Sequence, residues 1–179
     1  MGTVIDPARV SALDGSTIEV PGPQRLHLQF RRFAGCPICS RHLHSFAARH
    51  AEVAAAGIAE VVFFHSSAEH LRGYQAELPF PVVADPDRVH YGRFGVETGV
   101  RSLLDPRSWP AAVLGGQQWL SHHSDPGWAG VGESDGTTHL GLPADFLIDP
   151  DGSLVAAHYG DHADDQWSVD QLLAINSAR

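Results

Sequence analysis

The stretch RLHLQFRRFAGCPICSRHLHSFAARHAEVAAA, residues 25–56, decides the fold of this 179-residue chain. In its first part apolar and polar side chains alternate, and this period of two predicts a strand over residues 25–33. In its second part apolar side chains recur every three to four residues, which predicts a helix over residues 37–56. The only two cysteines of the chain, Cys36 and Cys39, therefore stand where a strand passes into a helix.

The start of a helix is a favourable place for a thiolate. The amides of the first turn have no partner within the helix, and the helix dipole adds partial positive charge there. Both effects lower a thiol pKa, so Cys36 is predicted to be the nucleophile of thiol exchange. Pro37 suits the first helical turn, where no N–H is needed. Cys39, one turn later, is close enough to form a disulfide and release whatever Cys36 has bound.

Composition excludes several classes of function. The formal net charge is -9, and all 12 basic residues are arginine without any basic run, which argues against nucleic acid or an anionic membrane as partner. Residues 1–10 do not have the pattern of a signal peptide, and no stretch is long and apolar enough to cross a membrane. We therefore expect a cytoplasmic protein, and two cysteines in such a reducing compartment indicate catalysis before structural crosslinking.

The first half of the chain is predicted to be an α/β unit. Residues 1–23 form an N-terminal extension, with two short strands around a turn at Asp14-Gly15. Gly57 is the expected C-cap of the long helix, and residues 59–65 are typical of a strand buried on both faces. A helix over 66–78, a strand over 81–84 and a helix over 88–94 follow. Strands joined by helical crossovers predict a parallel or mixed sheet.

The second half begins with a segment that has no clear pattern. Residues 97–141 are rich in Gly, Ser, Asp and His and are predicted to be a long insert. Residues 144–148 and 154–159 are predicted to pair as antiparallel strands around a tight turn, and Ser168 to cap a last helix over 169–178. The length of the chain predicts a single domain over residues 1–179.

Four segments together carry a resemblance to a known family. They are FAGCPIC at residues 33–39, FPVVADPD at 80–87, YGRFGV at 91–96 and LPADFLIDPDG at 142–152. On these segments the chain resembles the peroxiredoxin-like (AhpC/TSA) branch of the thioredoxin-fold superfamily, with a CPxC active site. The resemblance implies a thioredoxin-like α/β fold with a mixed central sheet flanked by helices, and a long insert before a cis-proline strand. It also implies that Cys36 is the attacking cysteine and that a homodimer is possible.

Two positions depart from the pattern of that family. Typical peroxiredoxins carry Thr or Ser three residues before the attacking cysteine, where this chain has Phe33. They carry Arg three residues before the Phe of the Phe-x-Ile-Asp strand, where this chain has Pro143. Both family residues position peroxide oxygens, so their loss argues against classical peroxide reduction. Pro143 instead resembles the cis-proline of thioredoxins, which would present the backbone of Leu142 to an extended substrate.

Pairing of the two late strands would bring residues 158–162 alongside Pro143 and towards Cys36. We hypothesise that His158, Tyr159 or His162 lines the rim of the site and shuttles the proton released by Cys36. The alternative is a solvated polar loop. The predicted catalytic residues are thus Cys36, Cys39 and Pro143, and the predicted substrate-binding residues are Phe33, Pro37, Leu142, His158 and Tyr159.

Twelve histidines raise the question of a metal site. On a helix Cys39 and His42 lie about 60° apart but Cys39 and His44 about 140° apart, so these residues with Cys36 do not surround a tetrahedral zinc. The pairs His122/His123 and His158/His162 are weaker alternatives to scattered surface histidines. We therefore predict no metal and no cofactor.

Three charged residues near the motif have alternative roles. Arg31 and Arg32 point to opposite faces of the strand, so at most one of them lowers the Cys36 pKa. Asp145 stands on a strand where apolar residues are expected. It is either a buried proton acceptor for Cys39 or a hydrated side chain at an edge.

Two classes of function remain. The first is a thiol-dependent oxidoreductase in which Cys36 attacks a peroxide or a disulfide and Cys39 resolves the product to an intramolecular disulfide. Such a cycle needs a thioredoxin-type or low-molecular-weight thiol reductant. The departures at Phe33 and Pro143 favour disulfide substrates, whereas the peroxiredoxin-like middle segments favour peroxides. The second class is a redox sensor or binding module without turnover, with residues 97–141 as its partner surface.

Overall fold

The computed structural model describes residues 3–72, 78–96 and 141–178. The predictions for the insert over 97–141 and for His122/His123 lie outside the described residues, apart from Gly141. The same holds for residues 73–77 of the helix predicted over 66–78.

Seven strands and five helices make up the described part of the chain. In order they are β1 (Ala8–Ser11), β2 (Thr17–Val20), β3 (Arg25–Arg31), α1 (Pro37–Ala48), α2 (His50–Ala55), β4 (Ile58–Phe64), α3 (Ala68–Arg72), β5 (Val82–Ala84), α4 (Val89–Arg93), β6 (Ala144–Ile148), β7 (Leu154–Tyr159) and α5 (Val169–Ser177). Most boundaries agree with the predictions to within a few residues.

The central sheet has five strands in the order β5-β4-β3-β6-β7. β3 lies in the middle, parallel to β4 and antiparallel to β6, so Phe30 has Phe63 on one side and Ala144 on the other. β5 extends the parallel half, and β7 extends the antiparallel half. The predicted α/β architecture with a mixed central sheet flanked by helices is confirmed.

The single helix predicted over residues 37–56 is wrong in one respect, because the chain leaves helical geometry at Arg49. Arg49 has φ -114 and ψ 14, and it separates α1 from α2. Its guanidinium group donates to both carboxylate oxygens of Glu52, at 2.8 and 2.9 Å, and to Asp170 of α5 at 2.7 Å. These contacts hold the interruption in place. Gly57 then ends α2 with φ +79, as predicted for a C-cap.

The N-terminal extension contains the predicted hairpin, formed by β1 and β2. It is joined to the rest of the protein, because Val10 and Val20 are buried in the core. In addition, the amide of Leu13 donates to the carbonyl of Val82 at 2.8 Å. The hairpin therefore packs as part of the fold.

The two faces of the sheet pack differently. One face is an aromatic cluster in which the rings of Phe30 and Phe63 stack at 4.7 Å between centroids, with Phe146 edge-on to Phe30. The other face packs under the helices through residues such as Leu43 and Phe46 of α1. None of the helices in the described ranges is long and apolar enough to cross a membrane.

Candidate active site

Cys36 and Cys39 lie at the start of α1, as the sequence predicted. Cys36 is the N-cap residue, with extended geometry, and Pro37 begins the helix. Both cysteines are free thiols, 1% and 0% exposed respectively. The thiol of Cys39 is close enough to the sulfur of Cys36 to act on it as a hydrogen-bond donor and lower the pKa of Cys36. The structure thus brings the two sulfurs together in a buried position.

A small apolar cluster surrounds the two sulfurs. It consists of Phe33, Cys36, Ile38, Cys39 and Ala163. The loop before the helix is positioned by a hydrogen bond of 2.9 Å from the amide of Ala34 to the hydroxyl of Ser66. Of the predicted substrate-binding residues, Phe33 is therefore beside Cys36.

The two thiols have opposite acidities. Burial raises the pKa of Cys36, but the hydrogen bond from Cys39, the charge of Arg32 and the backbone amides of Cys39 and Ile38 outweigh it and lower this pKa to about 6. Burial and the neighbouring Cys36 both raise the pKa of Cys39 well above its usual range. At neutral pH the pair therefore consists of a Cys36 thiolate and a Cys39 thiol that donates to it.

Arg32 is the cation next to the thiolate. Its Nη1 atom lies 3.6 Å from the sulfur of Cys36, and the residue is only 2% exposed. The guanidinium group also lies over the ring of Phe33, at 5.3 Å from the centroid. Arg31 points the other way, to Asp145. The prediction that at most one of the two arginines acts on Cys36 is confirmed.

A buried polar network lies below the site, on the face of the sheet that packs under the helices. Nη2 of Arg31 donates to Oδ1 of Asp145 at 2.7 Å and to the side-chain oxygen of Gln29 at 2.8 Å. Nε2 of His27 lies 3.0 Å from the same Asp145 oxygen. Gln29 in turn donates to Glu60 at 3.3 Å. Three of these side chains belong to β3 and one, Glu60, belongs to β4. The sequence did not predict this network, although the alternation of polar and apolar residues along β3 was a signal for it.

Asp145 matches neither of its two predicted roles. It is 0% exposed, so it is not a hydrated side chain at an edge. Burial alone would raise the pKa of Asp145, but Arg31 and His27 outweigh burial and hold this pKa far below its usual range. A carboxylate held ionised in this way is a poor proton acceptor for Cys39.

His42, one turn after Cys39, makes a hydrogen bond to the backbone. Its Nε2 atom lies 2.7 Å from the carbonyl oxygen of Trp167. Burial and the nearby charge of Arg31 lower the pKa of His42 to about 3, so the ring is neutral. Within residues 3–72, 78–96 and 141–178, no group of three or more His, Cys, Asp or Glu is arranged to hold a metal ion.

The cis peptide bond predicted at Pro143 is wrong. The cis bond found in the described ranges is Val20-Pro21. Pro143 leads directly into β6, whose first residue, Ala144, pairs with Phe30 and Tyr159. The carbonyl of the buried Pro143 also accepts a hydrogen bond of 2.9 Å from the amide of Gly160, next to the paired ends of β6 and β7. Leu142 is half-buried, and the bond that joins it to Pro143 does not have the cis geometry that was predicted to present its backbone to a substrate.

His158 and Tyr159 each have a hydrogen-bond partner in the structure. Nε2 of His158 lies 2.9 Å from Asp165. The hydroxyl of Tyr159 donates to the carbonyl of Phe94 at 2.8 Å, and the residue is 53% exposed. The segment that follows does reach the site, because Ala163, next to His162, packs in the cluster around the cysteines. Ala163 directly follows the region predicted to line the rim, and the roles predicted for His158, Tyr159 and His162 stay predictions.

An open cavity of about 860 Å³ lies at the other end of the sheet. Its walls include Leu26 at the start of β3, Ile58 at the start of β4, and the pair formed by His50 and Glu60. Nδ1 of His50 lies 2.7 Å from Glu60. None of the predicted catalytic or substrate-binding residues lines this cavity.

Comparison with known proteins gives a family match. The model of a family described as AhpC/TSA antioxidant enzyme matches residues 44–162, about two thirds of the chain. The matched range begins after both cysteines, so the match is independent of the Cys-x-x-Cys motif. No curated protein matches the chain.

Solved structures with a similar fold are peroxiredoxins of low sequence identity. Peroxidoxin BcpB from Mycobacterium tuberculosis has a TM-score of 0.68 and 14% identity, with 99% of this chain and 96% of that chain covered. Peroxiredoxin Q from Xanthomonas campestris has a TM-score of 0.63 and 18% identity, with 96% and 90% covered. The reduced 2-Cys peroxiredoxin of Plasmodium vivax has a TM-score of 0.67 and 14% identity, with 99% and 80% covered. The predicted thioredoxin-like fold is confirmed.

Proposed function

Because the chain belongs to the AhpC/TSA antioxidant enzyme family, we propose that it is a thiol peroxidase in which Cys36 reduces a hydroperoxide and Cys39 resolves the product. Membership of this family makes the chain a thiol oxidoreductase of the antioxidant type. The choice of peroxide as oxidant and the roles of the two cysteines are our proposal.

The opposite acidities of the two hydrogen-bonded thiols carry this proposal. The Cys36 thiolate is present at neutral pH and is the form that attacks. Its sulfur attacks the terminal peroxide oxygen, the O–O bond breaks, and the alkoxide or hydroxide leaves with a proton from solvent. Cys36 becomes a sulfenic acid. The Cys39 sulfur then attacks it, its proton leaves with the departing hydroxide as water, and the Cys36–Cys39 disulfide forms.

The buried position of Cys36 favours a small oxidant. At 1% exposure, its sulfur is more readily reached by a molecule of the size of hydrogen peroxide than by a protein disulfide. The argument for a disulfide substrate from a cis bond at Pro143 no longer applies, because that bond is absent. Peroxide is therefore the substrate class we favour over disulfides.

The remaining parts of the cycle are proposed on the same basis. A thioredoxin-type or low-molecular-weight thiol supplies the two electrons that return the disulfide to two thiols, by attack on one sulfur and release of the other. A cytoplasmic location is proposed because a reducing compartment supplies such thiols. A homodimer is proposed by analogy with the fold alone.

Stopped-flow measurement on reduced protein tests the function. We expect hydrogen peroxide to oxidise the protein faster than an organic hydroperoxide, and both faster than a model protein disulfide. Cys36→Ser should abolish the reaction, and Cys39→Ser should leave the first step while preventing disulfide formation. A thioredoxin system or glutathione should then sustain turnover of the wild type. Oxidation without recycling by either reductant would favour a redox sensor, and no oxidation by peroxide would contradict the proposal.

A further inference from the structure

The geometry points to Arg32 as a catalytic residue that binds the peroxide oxygen as well as the Cys36 thiolate. This inference rests on the proposed peroxidase function and adds a residue to it. Arg32 was predicted only as one of two candidate cations that affect the acidity of Cys36. The contacts around the sulfur support a role in the chemical step itself.

Peroxide reduction needs a hydrogen-bond donor near the sulfur. As the O–O bond breaks, negative charge moves from the Cys36 sulfur to the leaving oxygen, and donors fixed in advance stabilise that charge. The neighbours in the cysteine cluster, Phe33, Ile38 and Ala163, offer only apolar side chains. Cys39 already uses its thiol on Cys36. Arg32 brings a cationic side chain with N–H donors to the Cys36 sulfur.

The guanidinium group has the right shape for two acceptors at once. It carries five N–H donors in a rigid planar arrangement, so neighbouring donors can reach two adjacent acceptor atoms. Nη1 of Arg32 already lies 3.6 Å from the sulfur. An oxygen that approaches this sulfur for attack comes within reach of the same group. No proton leaves the guanidinium group in this step, because its hydrogen bonds only stabilise the departing oxygen and the proton comes from solvent.

Arg32 is held in place before any substrate arrives. It is 2% exposed, and its guanidinium group rests on the ring of Phe33. Its carbonyl accepts a hydrogen bond of 3.4 Å from the amide of His65. Its side chain therefore reaches the Cys36 sulfur from a fixed position.

Arg31 does not compete for this role. Its guanidinium group donates to the carbonyls of Phe30 and Ala144, to Gln29 and to Asp145. Its contacts belong to the buried network on the other side of the strand. The assignment is therefore specific to one of two adjacent arginines.

The test separates an effect on the thiol pKa from an effect on the peroxide reaction. We would measure the rates of oxidation by hydrogen peroxide and of alkylation by iodoacetamide across pH, in the wild type, Arg32→Met and Arg32→Lys. Arg9→Met, an exposed arginine on β1, is the matched control. Each rate is divided by the thiolate fraction that the alkylation profile gives.

We expect Arg32→Met to raise the midpoint of the alkylation profile. At a pH where Cys36 is fully ionised, its peroxide rate should still be lower by about 100-fold, the size found for loss of one such donor. Its alkylation rate per thiolate should change by less than about fivefold, because iodoacetamide needs no oxygen-binding donor. Arg32→Lys, which keeps the charge without the planar fork, should fall in between. Arg9→Met should behave as the wild type.

An unchanged peroxide rate per thiolate in Arg32→Met would overturn the inference and leave the peroxidase proposal intact. A wild type that does not react with peroxide would instead contradict the proposed function. If Arg32→Met does not fold, the peroxide rate per thiolate of Arg32→Lys is compared with that of the wild type to test the inference. An equal peroxide rate per thiolate in these two proteins would count against the inference.

Discussion

Nη2 of Arg31 on β3 lies 2.7 Å from Oδ1 of Asp145 on β6, and both side chains are 0% exposed. A charge pair buried this deeply stabilises the fold only while both members are present, since each charge has lost its water. The pair joins the two central strands beneath the cysteines. It also links the network of His27 and Gln29 to the backbone of Trp167, whose amide donates to Asp145 at 3.2 Å.

Asp145→Asn should strongly destabilise the protein, because it leaves the charge of Arg31 buried without its partner. We expect a loss of about 3–5 kcal/mol in the free energy of unfolding, measured by urea denaturation. Asp164→Asn is the matched control, since it breaks the half-exposed pair with Arg41. That change should cost less than about 1 kcal/mol. Similar losses in the two variants would contradict this view of the buried pair.

Asp145 should also make the fold sensitive to acid. Its pKa is lowered in the folded protein, so its contribution to stability is present above the ordinary value of 3.8 and decreases as pH falls below that value. We expect the free energy of unfolding of the wild type to fall below pH 4 more steeply than that of Asp145→Asn. If the free energies of unfolding of the two proteins had parallel pH profiles, Arg31 and His27 would not be stabilising the ionised form of the Asp145 carboxylate.

His42 should affect stability in a different pH window. Its pKa is lowered to about 3 from 6.5, so the unfolded chain binds a proton between these values that the folded chain does not. Stability should therefore decrease as pH falls from 6.5 towards 3, by up to about 1.4 kcal/mol per pH unit from this residue. His42→Gln keeps a donor for the carbonyl of Trp167 and should remove this part of the slope. Urea denaturation of both proteins between pH 7 and 4.5 measures the difference.

Cys39 should control the acidity of Cys36. The Cys39 thiol donates to the Cys36 sulfur, and this contact helps to bring the Cys36 pKa to about 6. Cys39→Ala removes the donor and should raise that pKa, whereas Cys39→Ser keeps a hydroxyl donor and should raise it less. The ultraviolet absorbance of the thiolate against pH measures both values. Equal midpoints in Cys39→Ala and the wild type would rule out the hydrogen bond as a cause.

Gly160 should tolerate no side chain. A Cβ atom there would lie 2.4 Å from the carbonyl oxygen of Asp165 and 2.8 Å from the ring of Pro143. Gly160→Ala should therefore displace the segment that leads to Ala163 and lower the melting temperature. Gly92→Ala is the control, because a Cβ there meets nothing within 4 Å and Gly92 lies inside α4. That change should leave stability equal or raise it by about 0.5–1 kcal/mol.

Several features of the site could be predicted because they depend on neighbours in sequence. The position of Cys36 at the end of the loop before α1 follows from a strand pattern, a Pro at the first helical position and a helix pattern. The direction of its pKa was predicted from the amides of that turn, although the Cys39 thiol and the charge of Arg32 lower this pKa more than the amides of Cys39 and Ile38 do. Arg31 is the last residue of β3 and Arg32 follows it directly, so the alternation of the strand predicts that their side chains point in opposite directions.

Other features could not be predicted because they depend on what packs against each element. His27, Gln29 and Arg31 alternate with apolar residues, a pattern that usually indicates one face in water. In the structure all three are 0% exposed, since the helices cover that face and the strand partners supply Asp145 and Glu60.

The sequence by itself determined the order of the strands and helices, the placement of the cysteine pair at a helix start, and the class of sulfur chemistry. These depend on periodicity and on local backbone geometry, which short segments carry within themselves. Only the tertiary structure decided that the side chain of Arg32 contacts Cys36 and that Asp145 is paired with Arg31. It also decided that the polar side chains of β3 are buried away from water. Alternation tells which side chains share a face of a strand, but only long-range packing determines whether that face meets water, a helix or an opposite charge.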